Sequence, residues 1–235
     1  MSTQSASARH SSRQPSFSNG ARRSIAIIAG LLGLAAVYGG GQLLLAGIAH
    51  YQAQAFIEHW EKQPSQPTEQ AWHIAKDAVQ RAISVYPGRN GHYLETLGYI
   101  EQWHAFGAAL NDPNAQEYRE AAVQALREST QARPTWPDAW AALAYAKLTV
   151  LAFDDEFTQA LAQAQHFGPW RIGINRRLAE IGLIAYTELN SEQRAIVTES
   201  MRRTANYSPK EHAQLVELAT LTNNHSALEH ALHTP

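Results

Sequence analysis

Arg133-Pro134-Thr135-Trp136-Pro137-Asp138-Ala139-Trp140-Ala141-Ala142-Leu143-Ala144-Tyr145-Ala146-Lys147 is the stretch whose reading decides the fold. A helical run ends at Ala132 and Arg133, and Pro134 stops it. Six residues beyond Pro134 stands Trp140, followed by Leu143 and Ala144. Spacings of three and four put these residues on one face of a second helix. The large ring can fill the gap to a neighbouring helix, while the small residue lets two backbones approach.

The same device recurs along the chain. Pro87, Pro134, Pro169 and Pro209 each end one helix and precede another, at spacings of 47, 35 and 40. Six, nine and ten residues after the Pro come Asn175, Leu178 and Ala179 in one unit and Leu215, Leu218 and Ala219 in the next. After Pro87 the offset is one longer, giving Leu94, Leu97 and Gly98. Asn175 departs from the pattern, since it is a poor filler of the large position. The order resembles the tetratricopeptide repeat, whose period is about 34 residues. That resemblance implies stacked helix pairs, because one pair cannot bury its apolar face alone. It also implies that the first helix of each pair lines a concave groove. Transferred to this chain, the groove would display His92, Glu95, Tyr99 and Gln102 from one unit, Asp138 and Tyr145 from the next, and Arg176 and Glu180 from the third. This mixed polar and aromatic surface suits a peptide or another protein.

Composition narrows the function classes. The chain has 235 residues, 45% of them hydrophobic, and no cysteine. Disulfides, thiol catalysis and cysteine-ligated zinc are therefore excluded. Charge is unevenly placed. Before Glu58 the only basic residues are Arg9, Arg13, Arg22 and Arg23, with no acid among them; the remaining 15 of the 19 basic residues stand with all 21 acidic ones, so residues 58–235 carry about −6. A mildly acidic domain is a poor nucleic-acid binder.

Residues 1–23 are rich in Ser, Gln, Asn and Arg and read as a disordered tail. From Ile25 to Ala49 the one polar side chain is Gln42, and the run exceeds the roughly 20 residues needed to cross a bilayer as a helix. It is too long for the core of a typical signal peptide, although Ala46-Gly47-Ile48-Ala49-His50 offers small residues to a peptidase. The reading adopted is an uncleaved anchor over 24–50, with a folded domain over 51–235. The basic residues before the span put the tail in the cytoplasm and the domain across the membrane. Ala26/Gly30, Ala29/Gly33, Ala35/Gly39 and Ala36/Gly40 are small-residue pairs of the kind that let membrane helices pack closely.

Nothing breaks a helix between Gln42 and Gln63, so the anchor is expected to continue out of the membrane until Pro64 and Pro67. Thr68 then caps a helix to about Val85, with Trp72, Ala75, Val79, Ala82 and Ile83 on one face. Asn111-Asp112-Pro113-Asn114 marks a loop before a helix over about 116–132. Asp154-Asp155-Glu156 reads as a cap and acidic first turn, favoured by the helix dipole. Further helices are expected over about 172–187, 191–207, 211–221 and 226–233. No segment alternates with period two. The expected fold is all-α: a tetratricopeptide-like helical-hairpin solenoid with one N-terminal transmembrane helix.

Three local motifs go further. They are Asn90-Gly91-His92-Tyr93 with Leu97-Gly98, Arg133-Pro134-Thr135-Trp136-Pro137 with Ala139-Trp140-Ala141, and Gly168-Pro169-Trp170 with Gly182-Leu183. Together, after a single anchor, they resemble the VpsP-type exopolysaccharide biosynthesis proteins over roughly residues 25–220. This chain has Arg171 where that pattern has Glu after Pro-Trp. The resemblance implies a bacterial inner-membrane protein with its domain in the periplasm and a role in polysaccharide assembly or export; it implies no reaction.

A search for chemistry yields little. His230 and His233 share a helix face near His225, but there is no His-Glu-x-x-His. No Gly-rich phosphate loop or nucleophile elbow occurs. Glu95 and Glu180 are the acids that could face a groove as a glycosidase pair, and Trp136, Trp140 and Trp170 could stack on sugars, with Trp140 better explained as repeat core. Trp103 and His104 read as packing residues. The expectation is a scaffold without catalyst, metal or cofactor, binding a cell-envelope protein, of open oligomeric state. The alternatives are an adaptor for cytochrome maturation, pilus or secretion assembly, and a polysaccharide-binding protein.

Overall fold

A computed structural model describes residues 19–110 and 112–233. The expected tail over 1–18, and Asn111 of the expected turn, lie outside the described residues. Among the described residues there are ten α-helices and no strand. They are α1 (Asn19–Lys62), α2 (Glu69–Val85), α3 (Gly91–His104), α4 (Pro113–Ala132), α5 (Pro137–Thr149), α6 (Asp155–Phe167), α7 (Ile172–Ala185), α8 (Ser191–Tyr207), α9 (Pro209–Leu221) and α10 (His225–His233).

Helix α1 runs unbroken through the apolar segment and beyond it, as the absence of a breaker implies. It begins at Asn19, so Asn19–Arg23 are helical and not part of a tail. Among the described residues it is the one helix long and apolar enough to cross a membrane, over Arg22–Lys62. Up to Gly41 it presents Ile28, Leu31, Leu34 and Val37 to the surroundings.

The compact unit begins at Gln42, earlier than the expected Tyr51. The reason is a stripe at Ala46, Ala49 and Ala53, all buried and clustered with Trp72, Ala75, Val79, Tyr93 and Ile100. Small side chains on one helical face let α1 lie close to its neighbours. His50 fixes the register: its Nε2 is 2.9 Å from Thr96 Oγ1, and Thr96 already gives its own hydrogen to the His92 carbonyl, so His50 is the donor.

From α2 onward each helix packs on its successor. In addition α3 touches α5, α5 touches α7, α7 touches α9, α6 touches α8 and α8 touches α10. Side chains set the helix starts. Thr68, Asp112, Asp154 and Ser208 each accept from a backbone N–H of the first turn, and Asn190 forms a reciprocal box with Gln193. Asp112 capping with Pro113 in the first turn starts α4 three residues before the expected position 116.

The residues six positions after Pro134 and Pro169 have identifiable work. Trp140 is half-buried against the main core and donates Nε1–H to the Pro134 carbonyl at 2.7 Å. Asn175 fills no gap, but its Nδ2 donates to the Pro169 carbonyl at 3.0 Å, across the same six residues. In these two places a side-chain N–H ties the incoming loop to its helix, which Leu94 and Leu215 at the corresponding positions cannot do. Gly98 lets α3 pack tightly on α4: an added Cβ would stand 2.5 Å from Leu126 Cγ.

One charge cluster around a buried lysine joins three helices. Lys147 of α5, with its side chain almost fully enclosed, sits 2.8 Å from Asp154 and 2.7 Å from Glu156 of α6, and Arg127 of α4 donates Nη2–H to Glu156 at 2.8 Å. Arg127 foremost, then Lys147, holds the Glu156 carboxyl at a pKa of about 2, against the opposing effect of burial.

Two outcomes follow. Gly98→Ala gains helix propensity but forces a methyl into Leu126, so a net loss of about 1–2 kcal/mol is expected in urea unfolding; made in a Leu126→Ala background, itself destabilised, the same change should cost little further. Because the folded pKa of Glu156 is depressed, its stabilisation is full above the ordinary carboxylate pKa and lost as pH falls from about 4.5 through about 2. Replacing it by Gln should flatten that part of the stability–pH curve, by roughly 1–3 kcal/mol.

Candidate functional site

Helices α3, α5 and α7 bring side chains to a common surface. On α3, His92, Glu95, Tyr99 and Gln102 fall at spacings of three, four and three, one stripe of the helix. On α5, Asp138 and Tyr145 stand two turns apart on the same side. On α7, Arg177 and Glu180 do the same at a spacing of three.

This surface holds two hollows that share Tyr99. The larger, about 570 Å³, is lined by Tyr99, Gln102 and Trp103 of α3, Tyr145 and Thr149 of α5, Arg177 and Glu180 of α7, Ile57 and Glu61 of α1, and Phe106 to Ala108 with Leu110 after α3. The smaller, about 440 Å³, is lined by His92, Glu95, Tyr99, Arg133, Trp136, Asp138 and Arg171. Seven of the eight expected groove residues line one hollow or the other. Arg176 lines neither. It stands one residue from Arg177, hence about 100° around the helix, and clamps Glu211 of α9 with its Nε 2.8 Å from a carboxylate oxygen.

The electrostatics of the two hollows differ. In the smaller one every charge has a mate: Arg133 with Glu95 at 3.5 Å and Arg171 with Asp138 at 2.5 Å, while both guanidinium groups also lie over the Trp136 ring. In the larger one Glu180 has Arg177 at 3.8 Å, and burial pushes its carboxyl above the usual range despite that arginine. Burial also raises Tyr145, with Glu180 adding to the shift and Arg177 opposing it. Tyr99 is raised foremost by burial and then by Glu95, to which its hydroxyl donates at 3.3 Å. Gln102 Nε2 is buried with no hydrogen-bond partner among the described residues.

Arg119 holds the rim. Only 3% exposed, it donates Nη1–H to the Leu110 carbonyl at 2.8 Å and Nη2–H to those of Ala108 and Ala109 at 3.0 and 2.8 Å. A guanidinium committed to three carbonyls has little left for a ligand; its work is to fix the connection that carries Phe106 and Leu110.

Sequence reasoning missed the apolar end of the larger hollow. Trp103 does pack, at 6.0 Å from Trp60 and 4.8 Å from Phe106, but it also lines the wall. Phe106 and Leu110 are 41% and 39% exposed on a connection before an Asp-Pro turn, and large apolar residues in such a place were the available signal. Ile57 and Glu61 belong to α1, outside any repeat, and carried no signal. His104 stacks on Tyr118 at 3.5 Å and bonds Glu69, a packing role.

Other expected sites are not assembled. Glu95 and Glu180 line different hollows and do not face one another as an acid pair. Trp136 lines the smaller hollow, whereas Trp170, 82% exposed beneath Arg203, lines neither. Among the described residues no group of three His, Asp or Glu is placed to hold a metal. No protein-family model and no curated protein matches the chain.

Arg119→Met should leave three backbone carbonyls without their donor. The expected result is a loss of about 1–3 kcal/mol, with faster amide exchange at Ala108–Leu110 while helix content by circular dichroism is kept.

Proposed function

We propose that the chain is a membrane-anchored adaptor of tetratricopeptide-like repeats, holding a protein partner in its larger cleft during assembly or export of an extracellular polysaccharide. The observation that carries the reading is the convergence of Tyr99 and Gln102, Tyr145, and Glu180 on one cleft from three successive first helices. Stacked helix pairs build such a surface by repetition. Two further features support the repeat: the alternate contacts of α3 with α5, α5 with α7 and α7 with α9, and the shared tie from Trp140 and Asn175 to the Pro carbonyl six residues back.

The anchor reading is supported by the exposed apolar length of α1 and by Arg22 and Arg23 at its start. Positive charge there favours a cytoplasmic N-terminus and an extracytoplasmic domain, the inner membrane and periplasm in a Gram-negative bacterium. The polysaccharide assignment rests on the resemblance of three local motifs to those of VpsP-type proteins. None of the cleft's polar groups is arranged as a nucleophile–base pair, which favours binding over catalysis.

The test is site-specific photo-crosslinking in cells from position 145, with position 170 as control, and a phosphatase reporter fused after Pro235. An active reporter and a crosslink from position 145 to a polysaccharide assembly or export protein are expected. A cytoplasmic reporter overturns the topology. A haem-lyase or pilus component in the crosslink overturns the polysaccharide assignment and leaves the adaptor.

A further inference from the structure

A third hollow, of about 600 Å³, shares no residue with the two beside Tyr99. Ser191, Ala195, Thr198 and Arg202 follow one another at spacings of four, three and four, so one stripe of α8 makes its floor. The first three of those side chains are small, which leaves room above them. Tyr186, just past α7, and His230 of α10 wall it. Its one acid is Glu199, and that carboxylate is shared. Arg202 donates to it from Nε and Nη2, both at 2.8 Å, and Arg203 from Nε at 2.6 Å. Arg202 foremost holds the Glu199 carboxyl below the usual range, with Arg203 adding to the shift and burial opposing it. Two guanidinium groups on one carboxylate leave one positive charge over. Arg194 adds another. Its Nε–H and Nη2–H go to the Tyr186 and Thr187 carbonyls, both at 3.0 Å, and no carboxylate pairs with it among the described residues.

Donors are left over as well. Arg202 meets Glu199 through one edge of its guanidinium, and its Nη1 has no acceptor among the described residues. Ser200 and Thr204 return their hydroxyl hydrogens to the carbonyl one turn back, at 3.1 and 2.8 Å. Ser191 and Thr198, which line the hollow, make no such bond among the described residues. Guanidinium groups bind carboxylate and phosphate oxygens best. The volume is that of an ordinary small-molecule site, more than a bare ion fills. The apolar lining is Ala195 and the Tyr186 ring, and Arg194 already lies over that ring at 5.2 Å, so an apolar body would gain little burial. We propose that this hollow binds a polyhydroxylated, sugar-sized molecule bearing a carboxylate or phosphate, with the oxyanion at Arg202 and the hydroxyls on Ser191 and Thr198. The site lies outside the cleft and stands apart from the adaptor reading.

The experiment is equilibrium dialysis of full-length protein in detergent micelles against radiolabelled glucuronate, glucose 1-phosphate, inorganic phosphate and glucose, each at millimolar concentration. One or both of the acidic sugars should bind, more tightly than inorganic phosphate, and glucose should not. Raised salt should weaken the binding. Arg202→Gln should weaken it by about tenfold, the worth of one charge-assisted contact. Its melting temperature should hold, because Glu199 keeps Arg203. Ala195→Phe fills the floor from an exposed position without altering charge and should abolish binding. Failure of both acidic sugars to bind, glucose binding as tightly as they do, or binding undiminished by Ala195→Phe overturns the inference. Inorganic phosphate binding as well as the acidic sugars overturns it too, since the hydroxyls would then contribute nothing. Each of these outcomes leaves the adaptor reading standing.

Discussion

Burial of the apolar side of α3 is the constraint on which this structure depends. Here the α3–α4 pair would expose Tyr93 and Ile100 were it not for α1 and α2. The cover is made by Ala46, Ala49 and Ala53, by the rings of Trp60 and Trp72, and by the His50–Thr96 hydrogen bond. Trp72 is secured in turn by donating Nε1–H to the Ile100 carbonyl at 3.0 Å. Without that cover α3 would lose its support, and the larger cleft would lose Ile57 and Glu61.

Helices α2 to α10 were legible because the chain writes their punctuation openly. Pro87, Pro134 and Pro169 fall between helices, Pro209 opens α9 two residues before the expected 211, and Thr68 and Asp154 cap as their positions imply. The start of α4 shifted because a Pro in the first turn belongs to the helix it begins. The start of the compact unit shifted for a different reason. Ala46 and Ala49 look the same to a hydropathy reading whether they face lipid or a protein neighbour. Only tertiary packing separates the two.

The site was half legible. Spacing along a single helix put His92, Glu95, Tyr99 and Gln102 on one stripe, and the structure keeps them there. Arg176 failed because one residue is 100° of rotation, enough to turn its guanidinium from the groove to Glu211. The apolar wall came from parts a repeat template does not contain: a connection tied down by Arg119, and a helix that precedes the first unit. Such parts are set by contacts between distant residues, and no local spacing encodes them.

The alanine stripe of α1 also fixes where the chain could be cut. A fragment begun at Tyr51, the natural place to trim a hydrophobic leader, would discard Ala46, Ala49 and His50 and open the core beneath α3. One begun at Gln42 would retain the core but carry Leu43, Leu44, Leu45 and Ile48 as a greasy, unsheathed spike. The folding unit and the water-soluble unit are therefore different lengths of the same polypeptide.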